Sequence, residues 1–290
     1  MATFVLYMRK YFLILSGILA FFCGYSKDIT KILFDKRYDT DSVQFISFNT
    51  VSGKYIIKPS IDSNAYLKIT LIIGNEKKLA EFNEKSKLRL DKNEGKVTFT
   101  QDMGGASGEL LYELYLPKNK IHIDITTQSS DINIQGITGN NITIHHKQSD
   151  IIVENIVNGL YSITTQSGKI ELKNVKADFK VNTTSGDVNI TQTGGSLEVT
   201  SEKGNIRFNG QNEFDVNLIT KSGDIELYIG QNAKFNVNLV SDKRVEYGLN
   251  NVQFQGNIGE KSLTGILNGG KVNLKASASK GKITIYNSKG

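Results

Sequence analysis

The chain of 290 residues holds one cysteine, Cys23, so no intrachain disulfide can tie it together. It has two prolines, no tryptophan and three histidines. His122, His145 and His146 are few and, on the strand alternation described below, split between the inward face (His146) and the outward face (His122, His145), so they do not converge on one metal. No helix bearing paired His and Glu, no phosphate-binding loop and no nucleophile elbow occurs. A dense basic stripe with aromatic platforms is also missing, which speaks against nucleic acid as a partner. The net charge of +6 sits mostly in the first 120 residues, with 18 Lys/Arg against 13 Asp/Glu; residues 121–290 carry 17 against 16. That mild basic bias suits an anionic membrane surface or acidic glycans better than a duplex.

Gly, Ile, Val, Thr, Asn and Ser are plentiful, a composition that favours strands and turns over helices. At the N-terminus, Arg9 and Lys10 precede an apolar run from Tyr11 to Cys23, and the chain turns polar at Ser26. A charged start, a 13-residue apolar core and a small-residue exit make a secretory signal peptide, or an N-terminal membrane anchor, of residues 1–26. The core falls short of the roughly 20 residues that span a bilayer. Cys23 stands where a lipoprotein carries its acylated cysteine, although Phe22 before it departs from the small residue that such processing prefers.

The central signal is a repeat. TTQSSDINI, TTQSGKIEL, TTSGDVNI and ITKSGDIEL share a hydroxyl residue, a small pair and an alternating apolar tail. The apolar residues that follow the small pair are Ile132, Ile151, Ile170, Val188, Ile206 and Ile225, spaced by 19, 19, 18, 18 and 19. Two residues later each coil has another apolar residue, and apolar columns also stand seven and nine residues earlier, all alternating with polar positions. This is the period-two pattern of strands with one buried face. Five residues before each marker stand Thr127, His146, Thr165, Thr183, Ser201 and Thr220; two before it stand Ser130, Ser149, Gly168, Gly186, Gly204 and Gly223. Small residues there mark a tight corner between two short strands.

A coil of this length at ~3.3 Å per residue encloses a perimeter of about 60 Å, and coils stacked ~4.8 Å apart would pair strand on strand in parallel. The expected fold is an all-β single-stranded parallel β-helix, or β-solenoid, with 18–19-residue coils. A series of antiparallel hairpins would not need one corner repeated at constant spacing. The ruler extends to Ile283 with its corner Gly281, to a degenerate coil around Val245 that is one residue out of step, and upstream to Tyr55 and Val97 as markers. The expected organisation is a β-rich cap or irregular coils over 27–118, with a separate sandwich as the alternative, then a regular solenoid over 119–290 with an irregular insertion at about 250–270.

The Thr-x-Ser-Gly-Asp-Ile corners, the strand LYELYLPKNKIHIDITTQSSDI with Pro117, and the closing GGKVNLKASASKGKITI resemble the bacterial "putative adhesin" domain over roughly residues 40–290. That family is of unknown function and is related to auto-transporter adhesin head domains. The resemblance implies a right-handed β-helix, export or membrane attachment in the bacterial envelope, and no catalytic residue to carry over.

Asp131, Asp150, Asp187 and Asp224 share the position just before the marker, so Asp131 and Asp150 on adjacent coils could hold Ca²⁺. Lys169 and Asn205 in the same column make it a row of turn residues instead. The reading is therefore a non-catalytic exported envelope protein that serves as an adhesin or scaffold, with no cofactor and with a glycan or an envelope or host protein as partner. A polysaccharide lyase or hydrolase built on a β-helix is the second reading, and a membrane-tethered envelope-stress or signalling module is the third. Gly168, Gly186, Gly204, Gly223 and Gly281 are the structural corners.

Overall fold

The computed structural model describes residues 28–118, 121–210 and 214–288. Strands hold 65% of the described residues and helix 4%, so the protein is all-β, with a solenoid-like body. Parallel pairing follows the sequence ruler. Tyr161 aligns with Ile142, 19 residues earlier, and with Phe179, 18 residues later; Ile170 aligns in the same way with Ile151 and Val188. Each coil contributes two strands, and residues of like column stack from coil to coil.

The stacking order departs from the chain order at both ends. From one end to the other the layers are 96–116, 45–59, 122–135, 141–154, 161–173, 179–191, 197–210, 216–229, 272–287 and 235–248. The 45–59 layer is thus clasped between two later segments. The 272–287 layer likewise slides between 216–229 and 235–248, pairing Ile225 with Ile283 on one side and Val245 with Ile283 on the other. Val97 is not a marker: it aligns with Ile46 in the first-strand column, and the marker position of its layer is filled by Tyr112, opposite Tyr55. Both strands of a coil share the same two-residue alternation, so the local pattern around Val97 could not tell them apart.

Antiparallel strands close the stack. Ala65–Ile73 pairs with Glu109–Leu116, and Ile29–Tyr38 covers its far edge; Lys87–Asn93 lies on Lys96–Asp102. At the other end Ser262–Leu267 lies antiparallel on Phe235–Ser241, and Phe254–Ile258 lies on it in turn. The one helix described, Glu76–Lys85, starts at Asn75, whose side chain accepts the Lys78 N–H at 2.9 Å, and it turns Phe82 into the core.

Inward residues of every layer form a single column of core. It is aliphatic through the middle and aromatic near the 96–116 end, where Phe48, Tyr55, Phe99 and Tyr112 pack with centroids 4.5–6.3 Å apart. At roughly 1.5–3 kcal/mol per buried apolar side chain, the column outweighs any surface pairing.

The interleaved order has a consequence for opening. A layer close to the C-terminus would fray first in a sequential solenoid, but here it is held on both faces. In hydrogen exchange, the amides of Val272–Ala278 and Ile283–Asn287 are expected to be protected to within about tenfold of those in Ile206–Gly210. Rapid exchange over 272–287 beside a protected centre would show that the last layer opens on its own.

Candidate functional site

The corners come first, because the sequence concentrates hydroxyl, glycine and carboxylate residues there. The hydroxyl side chains are buried and bond their own turn. Thr183 Oγ1 accepts the Gly186 N–H at 2.9 Å, Ser201 Oγ that of Gly204 at 2.8 Å, and Thr220 Oγ1 that of Gly223 at 3.0 Å. Three residues beyond each of these hydroxyls the chain stacks tightly. A β-carbon at Gly186 would lie 2.1 Å from the Gly168 carbonyl oxygen, at Gly204 1.9 Å from that of Gly186, and at Gly223 2.0 Å from that of Gly204. Gly281, in the interleaved layer, stacks the same way on Gly223. Gly168 in addition has φ +102°, and its β-carbon would strike the Ser149 carbonyl. Ser149, where the ruler puts a corner, holds φ +104° without being glycine. In the 235–248 layer, Ser241 Oγ accepts the Lys243 and Arg244 N–H groups in a corner one residue shorter, which accounts for the lost step at Val245.

The corner carboxylates do not gather. Asp150 Oδ1 accepts the Lys169 N–H at 2.8 Å, Asp187 Oδ1 the Asn205 N–H at 2.7 Å, Asn205 Oδ1 the Asp224 N–H at 2.9 Å, and Asp224 Oδ1 the Lys282 N–H at 2.9 Å. Asp131 reaches the Asp150 N–H at 3.4 Å. Each side chain thus points along the stack to the next backbone amide, and Asn serves as well as Asp because only an acceptor oxygen is needed. Among the described residues no group of three or more His, Cys, Asp and Glu could hold a metal ion.

His146 takes a hydroxyl's place in the buried corner column. Its Nε2 accepts the Ser130 N–H at 3.4 Å, and its Nδ1 lies 3.2 Å from Thr165 Oγ1. That pair of contacts suits one neutral tautomer. Burial pushes its pKa below the ordinary value, against the opposing pull of Asp131 and Asp150. His145 is exposed, and half-buried His122 stacks on Phe45 at 4.7 Å.

Two outward faces remain. On one, a groove of about 570 Å³ runs across the strands from His122 to Lys275, floored by Asn141, Thr143, Ser162 and Asn217. On the other, Asn189 and Thr191 lie low between an ionic cluster of Lys169, Glu171, Lys173 and Glu154 and a second one in which Arg207 covers the Tyr228 ring at 4.7 Å and approaches Glu226. Hydrogen bonds from Lys169 and Lys173 hold Glu171 below the usual carboxylate range. The groove residues escape a motif search because they belong to the polar positions between the apolar columns. The signal for them is the recurrence of short polar residues such as Asn141, Thr143, Ser162 and Asn217 at those positions, interspersed with Lys180 and Glu198. Residues 1–26, including Cys23, lie outside the described residues. Among those described, no helix is long and apolar enough to cross a membrane.

Comparison with known proteins matches residues 43–286 to the family model described as Toastrack DUF4097. Solved structures with a similar trace include a "putative adhesin" from Bacteroides fragilis, at 12% identity and TM-score 0.49 over 88% of this chain and 97% of that one. A "putative lipid binding protein" from Parabacteroides distasonis gives 13% and 0.48 over 90% and 98%, and a "putative cell adhesion protein" from Clostridium sporogenes gives 13% and 0.28 over 90% and 100%. No curated protein matches the chain.

Two outcomes follow from the corners. Gly204→Ala forces a β-carbon onto a backbone carbonyl and should destabilise the fold by on the order of 3 kcal/mol, whereas Ser149→Gly relieves a positive φ and should stabilise it by about 1 kcal/mol. Urea midpoints of the two variants test the pair, and equal shifts of one sign would contradict it. For His146, the unfolded chain takes up a proton as pH falls through the ordinary value of 6.5 while the native site resists it. Stability should therefore decline between pH 7.5 and 5, above the range where carboxylates titrate. His146→Thr should flatten that decline, as read from melting temperatures across the window.

Proposed function

Since the chain belongs to the Toastrack DUF4097 family, we propose that it is a non-catalytic, exported envelope protein that uses its solenoid as a rigid surface for a glycan or protein partner. What supports this most is the use of the corner side chains. Carboxylates and hydroxyls that could have formed a catalytic cluster are spent, layer after layer, on backbone N–H groups. A glycosidase or lyase needs two acids, or an acid with a metal and a base, converging on one bond. Here neighbouring acids point the same way along the stack, one behind the other.

In this reading residues 1–26 direct export or anchor the chain, with Cys23 available for acylation, and the protein resides in the periplasm, on the outer surface or at the membrane. Residues 27–118 supply the entry cap together with irregular coils, and 119–290 the regular solenoid body. The coil is right-handed, as crossovers between parallel strands of one sheet almost always are.

The full-length protein, incubated with a panel of envelope and host polysaccharides, is expected to retain at least one without releasing reducing ends. Turnover of any polymer that disappears in Asp150→Ala would refute the non-catalytic assignment.

A further inference from the structure

We propose that the groove between His122 and Lys275 binds one strand of a neutral polysaccharide lying along the stacking axis. The proposal rests on the binding-module reading above and supplies its site and ligand class. The lining residues come from seven successive layers, 122–135 through 272–287. At ~4.8 Å per layer that is about 29 Å of continuous floor, a shape for a linear chain rather than a compact metabolite. Sugar-sized spacing need not be matched layer by layer, because short side chains with both donor and acceptor capacity recur along it: Asn141, Thr143, Ser162, Asn217 and Asn273. Sugar hydroxyls have the same dual capacity.

Charge argues for neutrality. Along the groove the signs are mixed: Asp178, Lys180, Glu198, Asp215, Lys275. A polyanion or polycation would face its own sign within a layer or two of its opposite, so no field favours either. Four of the five, all but Lys275, are also engaged. Lys180 bonds both Glu198 oxygens at 3.3 Å, Asp178 accepts the Ser196 N–H at 2.7 Å, and Asp215 accepts the Asn273 N–H at 2.8 Å. Displacing Asp178 or Asp215 for a charged ligand would leave a backbone amide unmet.

Two features supply what a polyol needs besides hydroxyl partners. Leu160, 58% exposed in the groove, and the Phe45–His122 stack at its end offer apolar surface to the C–H faces of sugar rings. The opposite face has no such floor, since its ionic clusters interrupt it. A protein partner would want a contiguous apolar centre, and Leu160 is the one strongly exposed apolar side chain among the groove-lining residues.

The chain lacks tryptophan, so Ser162→Trp places a unique fluorophore in mid-groove and fills it at once. The full chain is titrated with neutral hexasaccharides cut from cellulose, xylan, mannan and starch, and with polygalacturonate and heparin, at low and high salt. Leu160→Ser is a second groove variant, Thr191→Trp marks the other face, and melting temperatures confirm that all three fold. The expected result is salt-independent binding of a neutral oligosaccharide, weakened at least tenfold by Ser162→Trp and Leu160→Ser and unchanged by Thr191→Trp. Binding confined to the acidic polymers, neutral binding that ignores both groove variants, or no retained glycan each overturns the proposal. None of these three touches the non-catalytic reading, which fails separately if reducing ends are released.

Discussion

At each corner of the middle layers, a backbone carbonyl occupies the place where the next layer's β-carbon would be. The contact leaves about 2 Å to an added carbon, which no side chain tolerates, so the corner position is glycine in five consecutive layers of the stack, Gly168, Gly186, Gly204, Gly223 and Gly281. That close approach sets the distance between layers at the turn. With it set, the strands on either side meet at sheet spacing, the buried hydroxyl reaches its own corner amide, and the Asx side chain reaches the amide of the next layer. A bulkier corner would push two layers apart and break all three contacts together.

The middle of the solenoid was legible because this constraint repeats. Where every layer must solve the same steric problem, the solution recurs at 18–19 residues, and the columns around Ile170 and Val188 fall into register without further information. The ends were not legible for the same reason. Periodicity identifies a layer but carries nothing about which neighbour it pairs with, so nothing around Ile283 announces that it lies between Ile225 and Val245. Val97 shows a second limit: an apolar alternation reads alike in either strand of a coil, and only the partner Ile46 assigns it. His146 shows a third. Its column marked it as inward, yet its role as a stand-in for a corner hydroxyl depends on the distances to Ser130 and Thr165.

Spending polar side chains on the backbone divides the molecule by task. The corners hold residues whose type is dictated by the stack, including the carboxylates that looked most like chemistry in the sequence. Outward positions on the strands have no such obligation. They differ from layer to layer, as Thr143, Ser162, Lys180, Glu198 and Asn217 do along one row. Variation on a repeated frame is how a solenoid carries a specific surface without altering its core.

A surface along the side is useful only if the ends do not recruit further copies, since an open parallel edge is a template for another strand. Both ends meet that demand by changing direction. Antiparallel strands cover the outer layers, and the last edges are poor templates: Ile29–Tyr38 breaks register between Ile32 and Phe34 and carries Lys31, Lys36 and Arg37, while Phe254–Ile258 is interrupted by Gly256. Interleaving adds a mechanical reason. The segment that would otherwise be the last layer is enclosed, so the stack ends on a layer whose own chain continues into the covering hairpin at 254–267. End capping and layer order are therefore one device, which closes the column of core at both ends and leaves its long faces open.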